Sequence, residues 1–235
     1  MGEIGQAFAI AFDLLISLDG DLFAIIALSL KVSLSAVTIA CIIGFGLGAG
    51  LAARQFPGRK AIIVVINAFM GLPPVVVGLL VYLMLSRSGP FGVLGLLYTP
   101  TAMVIAQVTL ITPLVAALCL QSLQDLHNEY DEFFRSLKLS PASKMKALLW
   151  DARFSLITVA LAGFGRAISE VGAVMIVGGN INHVTRIMTT AIALETSKGT
   201  LALALALGIT LIAISVAINT LAMVVSSSAK RHAYA

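Results

Sequence analysis

Charge is the scarcest property of this chain. Asp, Glu, Lys and Arg together make up 11% of its 235 residues, against 59% hydrophobic residues. A soluble domain carries roughly 25% charged residues to cover its surface, so a water-soluble fold is excluded and lipid must be the solvent. Cysteine is limited to Cys41 and Cys119, both inside apolar runs, which excludes a disulfide framework and a cysteine metal site. His127, His183 and His232 have no ligand spacing and none lies in a span. No metal or cofactor site is expected, and an intramembrane protease lacks a base for its nucleophile. A P-loop is absent, so ATP is not bound here through a Walker motif. Gly44, Gly46, Gly48 and Gly50 do not form G-x-G-x-x-G, because Ala49 and Leu51 occupy the positions that matter. They form two overlapping small-residue pairs, 44/48 and 46/50, suited to close helix packing.

What the chain has in abundance is long apolar runs. Five are long enough to cross a bilayer: Phe23–Ala53, Ala61–Leu85, Leu96–Leu120, Phe154–Val177 and Leu201–Val225. All five are predicted to be helices, because a lipid-exposed span must satisfy its own backbone polar groups. The stretch Glu3–Leu18 mixes a helical apolar period with Glu3, Gln6, Asp13 and Ser17 and is predicted to lie in the interface. It lacks a basic flank and a cleavage site and does not read as a signal peptide. The fold class is therefore all-α: a polytopic membrane protein forming a single transmembrane domain over residues 1–235.

The net charge of +4 sets topology rather than marking a nucleic-acid partner. Arg54, Arg59, Lys60, Arg135, Lys138, Lys144, Lys146, Arg153, Lys230 and Arg231 fall on one side of the spans; Arg87, Arg186 and Lys198 fall on the other. Excess Lys and Arg mark the cytoplasmic face. The N-terminus is predicted outside and the C-terminus inside.

Two features within spans point to more than packing. In the fourth run, Arg166 and Glu170 are four residues apart. A continuous helix would put them on one face as an ion pair, at an insertion cost of at least about 2.5–3.5 kcal/mol for a mid-span charge. The pair is either a structural bridge between spans or a charged element beside a translocation pathway. In the second run, Pro73 and Pro74 lie between Gly71 and Gly78. Each proline removes a backbone donor and Pro74 disfavours helix at residue 73, so this span is predicted to kink or open, as a packing feature or as a pathway hinge. In the third run, Gln107, Thr109, Thr112 and Pro113 are predicted mostly to bond neighbouring helices.

The one long polar segment, residues 121–153, is predicted to be a cytoplasmic helix-turn-helix. Leu126, Tyr130, Phe133, Phe134 and Leu137 form one apolar stripe, while Asp125, Glu129, Asp131, Glu132 and Arg135 lie on the other faces. Ser140 and Pro141 suit the N-cap and first position of a second helix. The stripe either lies flat on lipid or docks a soluble partner; the acidic residues oppose an anionic leaflet.

The loop resembles the Glu-Ala-Ala loop of permease subunits in binding-protein-dependent ABC importers. The motif falls on Glu132, Phe133, Phe134, Arg135, Ser136, Leu137 and Lys138, with Leu148 at the later apolar position; two alanines are replaced by phenylalanine and the glycine by Lys138. The run Gly163–Ile181 is similar to the fourth-span signature of molybdate, tungstate and sulfate importers. Gly71–Gln107 and Thr185–Gly208 are similar to the tungstate type. The resemblance implies a type I importer permease in a bacterial or archaeal inner membrane, working as a homodimer by alternating access. It implies that residues 132–138 dock into an ABC ATPase dimer, which binds the ATP and Mg, and that an extracytoplasmic oxyanion-binding protein delivers tungstate or a related dianion such as molybdate. Gly71, Pro73, Pro74, Gly78, Arg166 and Glu170 are the candidate pathway or gate residues. A channel or secondary transporter working without an ATPase is the alternative, but such a protein has no need of the cytoplasmic helix-turn-helix.

Overall fold

In the computed structural model, residues 3–16, 20–137 and 139–233 are described; side chains are described for fewer of them, not including Arg135, while Lys138 lies outside the described residues. The secondary structure is helical: α1 (Glu3–Ile16), α2 (Gly20–Ala53), α3 (Arg59–Met70), α4 (Pro74–Leu85), α5 (Pro100–Ser136), α6 (Pro141–Asp151), α7 (Arg153–Ile168), α8 (Gly172–Gly178), α9 (Met188–Lys198) and α10 (Leu201–Ala233), with a short 3-10 turn at Gly92–Leu94. Helices α2, α5 and α10 are each long and apolar enough to cross a membrane, and two broken pairs, α3 with α4 and α6 with α7, raise the number to as many as five.

Two of the five predicted spans are interrupted. The second stops at Gly71, where the N–H groups of Gly71 and Leu72 close 3-10 turns on Ala68 and Phe69. Pro73 is extended (φ −62°, ψ 125°) and Pro74 opens α4, the position where a missing N–H costs nothing. The fourth stops at Ile168 and restarts at Gly172. In the opposite sense, the third span and the first helix of the polar segment form one 37-residue helix, α5, which continues through Pro113.

The chain forms two compact units, each assembled from three segments. The first draws on residues 1–36, 73–107 and 165–217, and within it α4 packs on α8. Ser29 ties α2 to α9: its hydroxyl accepts the Met188 N–H at 2.8 Å and donates to the Ile25 carbonyl. The second unit draws on residues 37–72, 108–164 and 218–235. There Gly44 and Gly48 lie against Val115, Ala116 and Cys119 of α5, so close that an added Cβ would meet heavy atoms at 2.8 Å, whereas Gly46 and Gly50 face open space. One small-residue pair makes the helix contact that dispersion between close backbones favours.

Candidate functional site: a broken span and a helical elbow

At the break between α7 and α8, side chains bond the carbonyls of the last turn of α7 and of Glu170 beyond it. Ser169 donates its hydroxyl to the carbonyls of Gly165 (2.8 Å) and Arg166 (3.2 Å). Gln107 from α5 donates Nε2 to the Ala167 carbonyl at 3.0 Å. Thr189 from α9 donates to the Glu170 carbonyl at 2.8 Å. Glu170 then turns onto α8, where Oε1 accepts the Ala173 N–H at 3.1 Å. Helix ends in an apolar solvent need such partners, since no water supplies them.

This geometry corrects the expected ion pair. Arg166 and Glu170 do not share a helical face, because α7 ends two residues before Glu170. Glu170 is 6% exposed and serves as a cap; Arg166 is on the exposed surface of α7, and no hydrogen bond or ion pair joins the two among the described residues. Of the polar residues in the third span, Gln107 bonds a neighbouring helix, and its buried Oε1 has no partner among the described residues.

The candidate hinge residues separate into two roles. Gly78 is buried at the α4–α8 contact, where an added Cβ would lie 2.7 Å from the Ala173 Cα. Only glycine allows this approach, because the obstacle is backbone rather than a side chain that can swing aside. Gly172 meets Val75 of α4 through a side chain instead, with an added Cβ at 2.9 Å from Val75 Cγ2. The broken ends of the two interrupted spans are thus seated on each other. Gly71 and Pro73 are exposed. Thr189, Gly172 and Ala173 carried no distinctive sequence signal; each matters through a contact made by another segment.

The elbow between α5 and α6 belongs to the second unit. Phe134 is 3% exposed and packs with Cys119, Leu123, Leu148 and Ala152, with Tyr130 edge-on at 5.8 Å. It holds the elbow together and is not available as a docking anchor. Phe133 and Leu137, 60% and 52% exposed, are available, and Glu132 and Ser136 are exposed beside them. The side chain of Arg135, and Lys138 altogether, lie outside the described residues. Ser140 caps α6 by accepting the Ser143 N–H at 3.2 Å. Between α5 and α7 an open groove of about 350 Å³ is lined by Gln121, Ser122, Asp125, Ser155 and Thr158. The helical spacing of Ser155, Thr158 and Ala162 was its legible trace in the sequence.

In the segment between α8 and α10, Glu195 is 6% exposed. It accepts hydrogen bonds from Thr200 Oγ1 and from Lys198 Nζ, the latter at 3.0 Å. The Thr200 hydroxyl first, then the Lys198 ammonium, hold its carboxyl below the usual carboxylate range against the opposing effect of burial. Among the described residues, no group of three or more His, Cys, Asp or Glu is placed to hold a metal ion.

Comparison with known proteins places these features in a membrane transport component. Residues 42–231 match the family described as the binding-protein-dependent transport system inner membrane component, and the chain belongs to that family: it is a multi-pass inner-membrane permease subunit of the ABC importer type. Similar proteins include the tungstate uptake system permease protein TupB of Peptoclostridium acidaminophilum, 39% identical over 93% of this chain and 96% of the relative. A probable anion ABC transporter permease protein of Haloferax volcanii is 38% identical over 85% of this chain and 88% of the relative. The TupB of Campylobacter jejuni is 36% identical over 70% of this chain and 69% of the relative.

Proposed function

We propose that this chain is the permease subunit of a tungstate importer. The observation that carries this reading is 39% identity to a tungstate uptake permease along almost the whole of both chains. Relatives named for sulfate and molybdenum are 30% identical or less and align over a smaller part of the chain. In this reading two copies enclose the pathway, since five spans are few for one copy to do so, and a two-fold interface is the commonest solution. The N-terminus is outside, and the elbow faces the cytoplasm. Phe133 and Leu137, with Glu132 and Ser136 around them, dock into an ATPase subunit that carries ATP and Mg. Closure of the ATPase pair moves the elbows, the spans open outward, and a binding protein releases its dianion. Gly71, Pro73 and Pro74 form a non-ideal segment that serves the pathway, and Arg166, exposed on α7, supplies positive potential for the dianion.

The test is uptake by proteoliposomes holding the permease with its ATPase and binding protein. Tungstate uptake should require all three components and ATP and should exceed molybdate uptake. Equal uptake without the ATPase would favour a channel or secondary transporter; preferential molybdate uptake would overturn the substrate.

A further inference from the structure

Helix α6 differs from the end of α5 in what it presents. Around α5, Asp125, Glu129, Asp131 and Glu132 are acidic; α6 carries Lys144 and Lys146, with Asp151 its lone carboxylate. One side of α6 forms an open trough of about 900 Å³ whose walls include Ala142, Met145, Leu149, Trp150 and Lys146, but not Asp151. Trp150, the chain's single tryptophan, is 68% exposed there. Lys146 is exposed and one helical turn from Trp150, so the two share a side. Arg153, the first residue of α7, is stacked between aromatic rings: its guanidinium carbon is 4.7 Å from the Trp150 ring centroid and 4.4 Å from that of Phe154. One of its nitrogens donates to the Trp150 carbonyl. The rest of its donor fork engages no described residue.

We propose that α6 lies in the headgroup layer and that Lys146 and Arg153, framed by Trp150, bind the phosphate of an anionic phospholipid. Helix α6 is bent by 63° from α7, so if α7 crosses the bilayer, α6 inclines toward the membrane plane at the point where the span begins. An amphipathic ring at headgroup depth is where tryptophan partitions. The Arg and Lys stems cover apolar surface while their heads reach the phosphate, and a guanidinium fork matches phosphate oxygens in pairs. Stacking fixes the Arg153 fork in advance, which lowers the ordering cost of binding. Acidic residues are absent from the trough, so the charge is complementary to an anionic lipid. The elbow thus divides its work: the exposed part of the α5 end is left for a protein partner, and α6 anchors the elbow to lipid.

The single tryptophan makes this directly testable, independently of which ion is carried and which side of the membrane the elbow faces. The full chain is placed in nanodiscs containing brominated phosphatidylglycerol or brominated phosphatidylcholine at equal mole fraction, and Trp150 fluorescence is read. A basic side chain near the surface biases local lipid preference about fivefold, so quenching by the anionic lipid should exceed that by the zwitterionic one at least about twofold. Lys146→Gln, at an exposed position, should reduce the difference, and Lys146→Gln with Arg153→Gln should abolish it. Equal quenching by both lipids in the wild type overturns headgroup recognition. Absence of quenching by either places the trough outside the bilayer and also overturns the proposal. A difference that survives in the double variant overturns the assignment to these two residues.

Discussion

The Glu170 cap makes a quantitative prediction that a helical Arg166–Glu170 pair would contradict. Glu170 Oε1 accepts one backbone N–H, from Ala173, and Arg166 stands apart on the exposed face of α7. Removing one partner of a buried ion pair typically costs about 3–5 kcal/mol, because the other charge is stranded. Losing a cap costs about 0.5–2 kcal/mol. Three variants separate these cases: Arg166→Met, Glu170→Gln and the double change. Glutamine keeps an oxygen for the Ala173 N–H, so Glu170→Gln should cost less than about 1 kcal/mol, and Glu170→Ala about 1–2 kcal/mol through the lost cap. Arg166→Met should be near neutral for stability. The interaction energy from the cycle, the double effect minus the two single effects, should be below about 0.5 kcal/mol, as for residues without shared partners. Reversible unfolding in mixed detergent micelles measures the wild type, the three cycle variants and Glu170→Ala. A coupling above about 2 kcal/mol, with Arg166→Met rescued by Glu170→Gln, would refute the cap and restore the ion pair. The same variants address transport: if Arg166 supplies potential at the pathway, Arg166→Met should assemble and fold yet lose oxyanion uptake.

Other outcomes follow from close contacts. Gly78→Ala should destabilise by about 1–3 kcal/mol, since the new methyl meets the Ala173 backbone in a site that cannot relax cheaply; Gly46→Ala, which faces open space, should be neutral or slightly stabilising in the same unfolding assay. Phe134→Ala should cost about 3–5 kcal/mol of stability, whereas Phe133→Asp should leave the fold intact and weaken ATPase binding roughly 30-fold or more, the scale of one hot-spot residue, as read by co-purification. The Glu195 carboxyl is held below its ordinary value of 4.5, so its stabilising contribution is complete above that value and is lost as pH falls through it toward the lower folded-state value. Glu195→Gln should flatten the acid limb of the melting-temperature profile; a profile identical to wild type would contradict the assignment.

Composition and periodicity alone determined the solvent, the class and the approximate extent of the helices. With 11% charged residues, lipid is the only solvent that fits, and in lipid a lone span has few backbone options other than helix. The elbow was legible because Ser140-Pro141 and the apolar stripe are local signals. Tertiary structure decided what depends on partners from elsewhere in the chain. No proline lies in residues 154–177, and the spacing of Arg166 and Glu170 favours a helix. At the break Gln107 and Thr189, from distant segments, bond carbonyls at and beyond the end of α7, and Glu170, off the helix, becomes a cap for α8 instead of an ion-pair partner. Phe133 and Phe134 are adjacent and chemically identical, yet one is core and one is surface, because only the fold around Leu123 and Leu148 determines which ring it receives. Local sequence sets what a segment can form by itself; which polar group is satisfied by which neighbour is settled only when the segments meet.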